Sequence, residues 1–134
     1  MLMFTGIIPP VVTPFTKSGK LDLSALQETI RWLGPQVDGF LILGSNGEVP
    51  YLTEGERTRV LEAAREVVPA GKPFIAGTGG EATAQVIERS NLAAKIGADA
   101  VLVIAPFYNR GSMTPAVLET HFKAVADACP VPVY

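Results

Sequence analysis

The chain has 134 residues, of which 48% are hydrophobic and 18% charged, and this composition excludes an intrinsically disordered protein. Its 11 basic and 13 acidic residues give a net charge of −2, without the positive excess that a nucleic-acid or anionic-membrane binder needs. The single cysteine, Cys129, cannot form an internal disulfide, and one cysteine with one histidine excludes the usual Cys/His zinc site. No positive charge precedes Lys17, as a secretory signal would require, so we predict a cytoplasmic protein.

Short apolar runs alternate along the chain with longer segments of helical periodicity. The runs contain no alternating polar residues, which is typical of strands buried on both faces of a parallel sheet, and they cover residues 7–12, 40–43, 74–76, 100–105 and 131–134. The longest uninterrupted apolar run has about eight residues, too few to span a membrane. The pattern therefore predicts parallel strands and no membrane-spanning segment.

Between the runs, apolar residues recur three and four positions apart, as on the buried face of a helix. Four helices are predicted, with buried faces at Leu23, Leu26, Ile30 and Leu33; at Val60, Ala63, Ala64 and Val67; at Val86, Leu92, Ala93 and Ile96; and at Val117, Leu118, Phe122 and Val125. Thr53 and Glu56 have the spacing of a capping box ahead of the second helix. Thr114-Pro115 suits the start of the fourth helix, and Gly97 suits a left-handed stop after the third.

The predicted strands begin at intervals of about 27–34 residues, the length of one βα unit. This order, without hairpin signals, requires parallel strands joined by right-handed crossovers, either in a doubly wound sheet or in an eight-stranded barrel. The uniform units favour an α/β fold of the (β/α)8 TIM-barrel type, in which eight units need about 250 residues. The chain supplies the first four units and the start of strand five. We therefore expect residues 1–134 to be the N-terminal half of a single barrel domain whose C-terminal half is absent.

In parallel αβ folds, active sites form where strands end and loops lead into helices. The loop after the second predicted strand is the most informative, because Gly44 and Gly47 flank Ser45 and Asn46. Backbone N–H groups and these two side chains can converge on one carboxylate or phosphate, and the same glycine spacing also suits a plain tight turn. The loop at residues 77–80 lacks the nucleotide-binding fingerprints and is better explained as a turn.

The loop after the fourth predicted strand places Tyr108 beside Asn109 and Arg110. A phenol there can relay a proton if a partner hydroxyl lies within hydrogen-bond reach, and an aromatic lid or a subunit contact explains it equally well. His121 is expected to pack on the fourth helix rather than to catalyse. Cys129 precedes the fifth strand, at the rim opposite the predicted site.

The motifs at these loops resemble the dihydrodipicolinate synthase / N-acetylneuraminate lyase family of pyruvate-handling class I aldolases. The resemblance spans the whole chain and rests on Phe4-Thr5-Gly6, Val12-Thr13-Pro14-Phe15, Gly44-x-x-Gly47-Glu48, Leu52-Thr53, Glu56-Arg57, Ala76-Gly77-Thr78-Gly79, Gly97-Ala98-Asp99-Ala100, Pro106-x-Tyr108-Asn109, His121-Phe122 and Pro132-Val133. Each motif is short, and it is their order and spacing together that are specific.

The resemblance implies a barrel lyase that holds a 2-keto acid, usually pyruvate, as a Schiff base on a lysine, whose iminium serves as the electron sink. No metal and no organic cofactor is implied. In the family, the pair in the glycine loop, here Ser45-Asn46 and followed by Gly47, binds the keto-acid carboxylate, and Ser45 and Tyr108 match members of a proton relay. In family dimers the tyrosine comes from the neighbouring subunit, so we expect a homo-oligomer, a dimer or tetramer.

Two parts of the family's site lie beyond this chain, the Schiff-base lysine on the sixth strand and a second tyrosine at the end of the fifth. Tyr134 falls just before the position of that tyrosine, and none of the chain's lysines is expected at a strand end that faces the site. Residues 1–134 alone are therefore predicted to be inactive. We further expect the strands ending at Leu43 and Ala105 to be neighbours that aim Ser45 and Tyr108 at one keto-acid pocket.

One departure from the family pattern bears on the substrate. Ser45-Asn46 stands where the synthases usually have two threonines, and an amide cannot pass on a proton as a hydroxyl can. With Arg110-Gly111-x-Met113 later in the chain, the loop looks more like the 4-hydroxy-2-oxoglutarate aldolase branch than 4-hydroxy-tetrahydrodipicolinate synthase. An alternative of another class is a non-catalytic half-barrel that binds a ligand or assembles with a second copy, because an open sheet leaves unpaired edge strands.

Overall fold

The computed structural model describes residues 4–134, a parallel sheet whose strands are connected through helices. The strands are β1 (Phe40–Ile42), β2 (Phe74–Gly77) and β3 (Ala100–Leu102), and the helices are α1 (Leu23–Leu33), α2 (Glu54–Arg65), α3 (Thr83–Ile96) and α4 (Pro115–Ala128). Short 3-10 turns follow β1, at Ser45–Gly47 and Val49–Tyr51. The alternation of strands and helices predicted from the sequence is confirmed.

The strands pair in chain order, β1 with β2 and β2 with β3, and every pair is parallel. Phe40 lies opposite Phe74, and Ile75 lies opposite Ala100. Consecutive helices contact one another along the sheet, α1 with α2, α2 with α3 and α3 with α4. A doubly wound sheet reverses its strand order at a switch point and carries helices on both faces. The unreversed order observed here is that of a barrel wall.

The first predicted strand, residues 7–12, adds to the sheet beside β1 as a parallel bridge rather than as a regular strand. The Val11 N–H donates to the Leu41 carbonyl at 2.9 Å, and the Leu41 N–H donates to the Pro9 carbonyl at 3.1 Å. Pro9 and Pro10 lack the N–H groups that a longer ladder would use. The segment runs parallel to β1, as predicted, but the two prolines keep it from forming the regular strand that the apolar run predicts.

The last predicted strand, residues 131–134, extends the other edge of the sheet in the same direction. Val133 bridges Val101 in parallel, and the Tyr134 N–H donates to the Val101 carbonyl at 2.9 Å. The run at residues 100–105 is regular strand only as far as Leu102, and a loop follows. Together with the first segment, this places five parallel segments side by side in chain order.

The two faces of the sheet are buried to different degrees. Phe40, Ile42 and Phe74 on the helix-facing side are fully buried, whereas Leu41 between them is half-buried and Ile104 is 45% exposed. Burial on both faces, which the apolar runs predict, is therefore seen in β3 at Ala100 and Val101, whereas β1 and β2 are fully buried only on the helix side. In a closed barrel the inner face is filled by side chains from all the strands, and residues 4–134 supply one arc of that wall.

The helix ends follow the predicted local signals. The Thr53 hydroxyl accepts from the Glu56 N–H at 3.3 Å, and the Glu56 carboxylate accepts from the Thr53 N–H at 2.9 Å, a complete capping box. Gly97 ends α3 in the left-handed region at φ +106°, and the Thr114 side chain caps α4. None of the helices in residues 4–134 has both the length and the apolarity to cross a membrane.

The buried face of α3 differs from the prediction. It consists of Val86, Ser90 and Ala93, while Leu92 is 40% exposed. Ser90 is tolerated there because its hydroxyl pairs with the buried hydroxyl of Thr78 at 2.9 Å, so neither polar group is left unsatisfied. This pair also anchors the loop at residues 77–80 through Thr78, and residues 78–80 form no regular turn, so the interpretation of this loop as a turn gains no support.

Candidate active site

The loops that follow the parallel segments lie at one edge of the sheet, because all the segments run in the same direction. Ser45 follows β1 and Tyr108 follows β3, so both predicted site residues are at this edge. The expectation that their two strands are neighbours is wrong, because β2 lies between β1 and β3. Successive βα units lie side by side in chain order. The run at residues 74–76, which forms β2, comes between the runs at residues 40–43 and 100–105 in the sequence and therefore also in the sheet.

The glycine loop is a single 3-10 turn, Ser45–Gly47, in which the Gly47 N–H donates to the Gly44 carbonyl at 2.9 Å. Thr13 from the first loop fixes this turn, since its hydroxyl, on a residue only 6% exposed, donates to the Gly47 carbonyl at 2.7 Å. A Cβ on Gly47 would lie 3.3 Å from the same hydroxyl oxygen. Gly47 thus uses both its backbone groups inside the protein and shapes the loop, and its predicted contact with substrate gains no support.

The chain leaves β1 through a left-handed residue, Leu43, at φ +60°. This conformation is uncommon for a residue with a bulky side chain, and burial of the Leu43 side chain to 2% exposure holds it in place. The Leu43 carbonyl is thereby turned against β2, where a Cβ on Gly77 would lie 2.0 Å from its oxygen. The direction of the glycine loop therefore depends on the absence of a side chain at Gly77.

Ser45 and Asn46 line a cavity of about 170 Å³ at the carboxyl ends of the strands. The rest of its wall is apolar or glycine backbone and comprises Pro10, Leu41, Leu43, Gly44, Val49, Gly77, Gly79, Leu102 and Ile104. Both polar side chains are exposed, and within residues 4–134 neither has a hydrogen-bond partner. Unpaired polar groups in a small, mostly apolar cavity suit a compact ligand with one polar end, such as a carboxylate.

Tyr108 lies at the same edge of the sheet but lines a different cavity, of about 570 Å³, with Glu81, Thr83 and His121 among its neighbours. Its side chain is 83% exposed. Glu81 accepts hydrogen bonds from the backbone N–H groups of Phe107 at 3.1 Å and of Tyr108 at 3.0 Å. The expectation that Ser45 and Tyr108 of one chain open on a single pocket is therefore wrong.

An ion-pair cluster behind the cavity holds two of the loops. Arg89 on α3 contacts Glu54 on α2 twice, through Nη2–Oε1 at 2.5 Å and Nε–Oε2 at 3.0 Å, and also donates to the Gly79 carbonyl. Arg57 donates to the Val49 carbonyl at 2.9 Å. The hydrogen bonds and charge of Arg89, with the charge of Arg57, hold the pKa of Glu54 below its ordinary value, while burial lowers the pKa of Arg57.

His121 packs between α3 and α4, as predicted. It is 5% exposed, its Nδ1 lies 2.9 Å from the Thr83 hydroxyl, and its ring meets the Phe122 ring edge-on at 5.2 Å. Its Nε2 atom is enclosed and has no partner within residues 4–134. Cys129 is half-buried after the end of α4, which is the opposite rim from Ser45.

Lys72 at the amino end of β2 does not face the candidate site. Its ammonium group donates to the carbonyls of Gly34 and Val37. Lys95 and Lys123 lie on α3 and α4. No group of three histidine, cysteine, aspartate or glutamate side chains that could hold a metal ion is found in residues 4–134.

Sequence reasoning missed four side chains that position these loops, namely Thr13, Glu54, Glu81 and Arg89. The partners of Thr13 and Glu54 lie 34 and 35 residues away along the chain, and Tyr108 lies 27 residues from Glu81. Hydrophobic periodicity carries no information about such contacts between successive βα units. The sequence signal that could have identified them is a polar residue in, or just after, a loop at the carboxyl edge, where the loop of the neighbouring βα unit lies beside it.

The fold and the site together define an arc of a (β/α)8 barrel, its first four βα units and the start of its fifth strand, with polar loop residues at the carboxyl edge. The family model of the dihydrodipicolinate synthetase family matches residues 3–134. The chain belongs to this family.

Relatives of known name agree with this assignment. The chain is 41% identical over 132 residues to a 4-hydroxy-tetrahydrodipicolinate synthase of Exiguobacterium sibiricum, covering 98% of this chain and 44% of the relative. It is similar to a solved prophage protein of the dihydrodipicolinic acid synthase family from E. coli, in complex with pyruvate, with 40% identity, a TM-score of 0.91 and coverage of 98% of this chain and 44% of that chain. An N-acetylneuraminate lyase from Mycoplasma synoviae matches with 29% identity, a TM-score of 0.88 and coverage of 97% and 45%. The chain thus spans under half the length of these relatives.

Proposed function

We propose that the chain is the N-terminal half of a Schiff-base lyase that acts on pyruvate or a related 2-keto acid in the cytoplasm. A lysine supplied by the C-terminal half condenses with the keto carbonyl and releases water, and the resulting iminium accepts electrons as a neighbouring bond breaks or forms. The observation that carries this proposal is the match to the family over residues 3–134 with Ser45 and Asn46 at the open end of the barrel wall.

Ser45 and Asn46 bind the keto-acid carboxylate in this proposal. Their side chains are exposed to the cavity and have no competing partner within residues 4–134. The apolar remainder of the wall, including Leu102 and Ile104, suits the small hydrocarbon part of pyruvate. Thr13 holds the turn through the Gly47 carbonyl, so the two side chains are presented without a cost of ordering the loop.

Tyr108 completes a proton relay with Ser45 of a second copy of the chain. Its side chain is 83% exposed and lines a cavity separate from that of Ser45. A hydroxyl can accept one proton while it donates another, which is the requirement for a relay between Tyr108 and Ser45. This arrangement requires a homo-oligomer, a dimer or tetramer, in which the tyrosine of one subunit reaches the cavity of its neighbour.

Borohydride trapping tests the proposal. The complete protein, incubated with pyruvate and reduced, should gain one covalent adduct detectable by mass spectrometry, whereas residues 1–134 alone should gain none, because no lysine of residues 4–134 lines the Ser45 cavity. In the complete protein, Ser45→Ala should raise the KM for pyruvate roughly tenfold, since it removes a hydrogen bond to a charged group.

Ser18→Ala, at an exposed serine that does not line the cavity, is the matched control and should leave KM unchanged. A stoichiometric adduct on residues 1–134 would contradict the assignment of the lysine to the C-terminal half. A complete protein that binds pyruvate but forms no adduct would instead support a ligand-binding protein without covalent chemistry.

The 4-hydroxy-2-oxoglutarate aldolase branch is the second candidate within the family. The feature that favours it is Asn46, whose amide lines the cavity and cannot relay a proton as a threonine hydroxyl would. The named synthase of Exiguobacterium sibiricum favours the synthase branch. Turnover of the complete protein with aspartate semialdehyde and with 4-hydroxy-2-oxoglutarate distinguishes the two.

A further inference from the structure

We propose that Glu81 is a positioning residue for Tyr108, acting through the backbone of the loop at residues 106–111. The inference rests on the proposed function, in which the Tyr108 hydroxyl transfers a proton. Glu81 belongs to the preceding loop, ahead of α3, and it contacts the backbone on which the tyrosine is carried rather than the reacting atoms.

The contact is a carboxylate that accepts from two consecutive N–H groups. Glu81 Oε2 lies 3.1 Å from the Phe107 nitrogen and 3.0 Å from the Tyr108 nitrogen, and Oε1 lies 3.3 Å from the Phe107 nitrogen. Hydrogen bonds to an ionised acceptor are roughly twice as strong as those between neutral groups. One side chain thus fixes the orientation of two successive peptide units.

The loop has few other anchors at this point. The β3 ladder ends at Leu102, and the Val103 N–H donates to the Tyr134 carbonyl. The next backbone hydrogen bond along the chain joins the Ser112 N–H to the Asn109 carbonyl. In the segment between these two points, the backbone N–H groups that have an acceptor within residues 4–134 are those of Phe107 and Tyr108, and that acceptor is Glu81. The position of Tyr108 therefore depends on this carboxylate more than on packing, since the tyrosine itself is 83% exposed.

Accurate placement matters for a tyrosine that acts across a subunit boundary. A displacement of about 1 Å in a catalytic group can cost roughly a hundredfold in rate, and an exposed loop without a fixed backbone samples such displacements freely. Glu81 is exposed and makes no contribution to the core. Its removal should therefore change the geometry of the loop without unfolding the protein.

A double-mutant cycle in the complete protein tests this role. Glu81→Ala should lower kcat roughly tenfold and leave the KM for pyruvate unchanged, because the carboxylate pocket at Ser45 is untouched. Glu81→Gln keeps one carbonyl oxygen as acceptor and should recover most of kcat. In a Tyr108→Phe background, Glu81→Ala should cause no further loss, because a residue that acts only through the tyrosine hydroxyl has nothing left to position.

Glu88→Ala is the matched control, because Glu88 is exposed on α3 and has no hydrogen bond or ion pair within residues 4–134. The kcat of the Glu88→Ala variant should equal that of the parent protein. Hydrogen exchange should accelerate at the Phe107 and Tyr108 amides in Glu81→Ala and not in Glu88→Ala. A further loss of kcat when Glu81→Ala is added to Tyr108→Phe would overturn the positioning role of Glu81 and would leave the catalytic role of Tyr108 intact. An unchanged kcat in Tyr108→Phe would overturn the catalytic role of the tyrosine, and with it this inference.

Discussion

Gly77 is the residue on which the geometry of the glycine loop depends. The left-handed Leu43 turns its carbonyl oxygen to within 2.0 Å of the place where a Gly77 Cβ would be, and that oxygen is backbone, which cannot swing away as a flexible side chain can. The loop carrying Ser45 begins one residue after Leu43. Stability and site geometry are therefore coupled at this one position.

Gly77→Ala should lower the free energy of unfolding by about 3 kcal/mol, because the backbone of β1 must move to admit the methyl group. Gly55 on α2 provides the matched comparison, since a Cβ there meets nothing within 4 Å. Gly55→Ala should raise the free energy of unfolding by about 0.5–1 kcal/mol through the helix propensity of alanine. Urea denaturation followed by circular dichroism measures both, and equal effects of the two substitutions would refute the close contact.

At the scale of elements, α2 and α3 are joined by the pair Glu54–Arg89 above their packed apolar faces. The same two residues reach the loops, because Arg89 holds the Gly79 carbonyl and Glu54 lies 4.0 Å from Arg57, which holds the Val49 carbonyl. The helices thus position the two loops through side chains as well as through chain connectivity.

This pair predicts a pH dependence of stability. Because the hydrogen bonds from Arg89 hold the pKa of Glu54 below its ordinary value in the folded protein, the unfolded chain binds the proton more readily than the folded one. The stabilisation is present above about pH 4.5 and is lost as the pH falls through the lowered pKa.

Glu54→Gln should consequently show a smaller decrease in the free energy of unfolding between about pH 5 and pH 3 than the parent chain. Glu62→Gln, at an exposed position on α2 without an ion pair within residues 4–134, should retain the parent's decrease. Identical pH profiles for Glu54→Gln and the parent, measured by denaturant titration, would show that the pair contributes nothing to folding.

At the scale of the whole molecule, the arc of barrel wall formed by residues 4–134 carries its helices on one face. β2 pairs on both sides, with β1 and β3, whereas the segment at Val11 pairs within residues 4–134 on one side, through an isolated bridge to β1. The inner face keeps partly exposed apolar side chains, among them Leu41 and Ile104. Stability should therefore decrease from the centre of the sheet to its edges.

Amide hydrogen exchange of residues 1–134 should show this gradient. The β2 amides, covered by helices and bonded to a neighbouring strand, should exchange slowest, and the amide of Val11 at the edge should exchange much faster. Exchange rates resolved by NMR provide the measurement. Protection at Val11 equal to that in β2 would contradict an open edge and would indicate that another copy of the chain covers it.

The sequence determined by itself the features that depend on residues near one another in the chain. Thr53 and Glu56 specify a helix start, Gly97 specifies a helix end, and the spacing of apolar runs specifies parallel βα units, because each signal acts within a few residues or repeats at a fixed interval. The tertiary structure decided which distant groups meet. Thr13 reaches Gly47, Arg89 reaches Glu54, and Glu81 reaches the Tyr108 backbone, while Ser45 and Tyr108 line separate cavities. These relations depend on the direction that each loop takes against its neighbours, which no local pattern encodes.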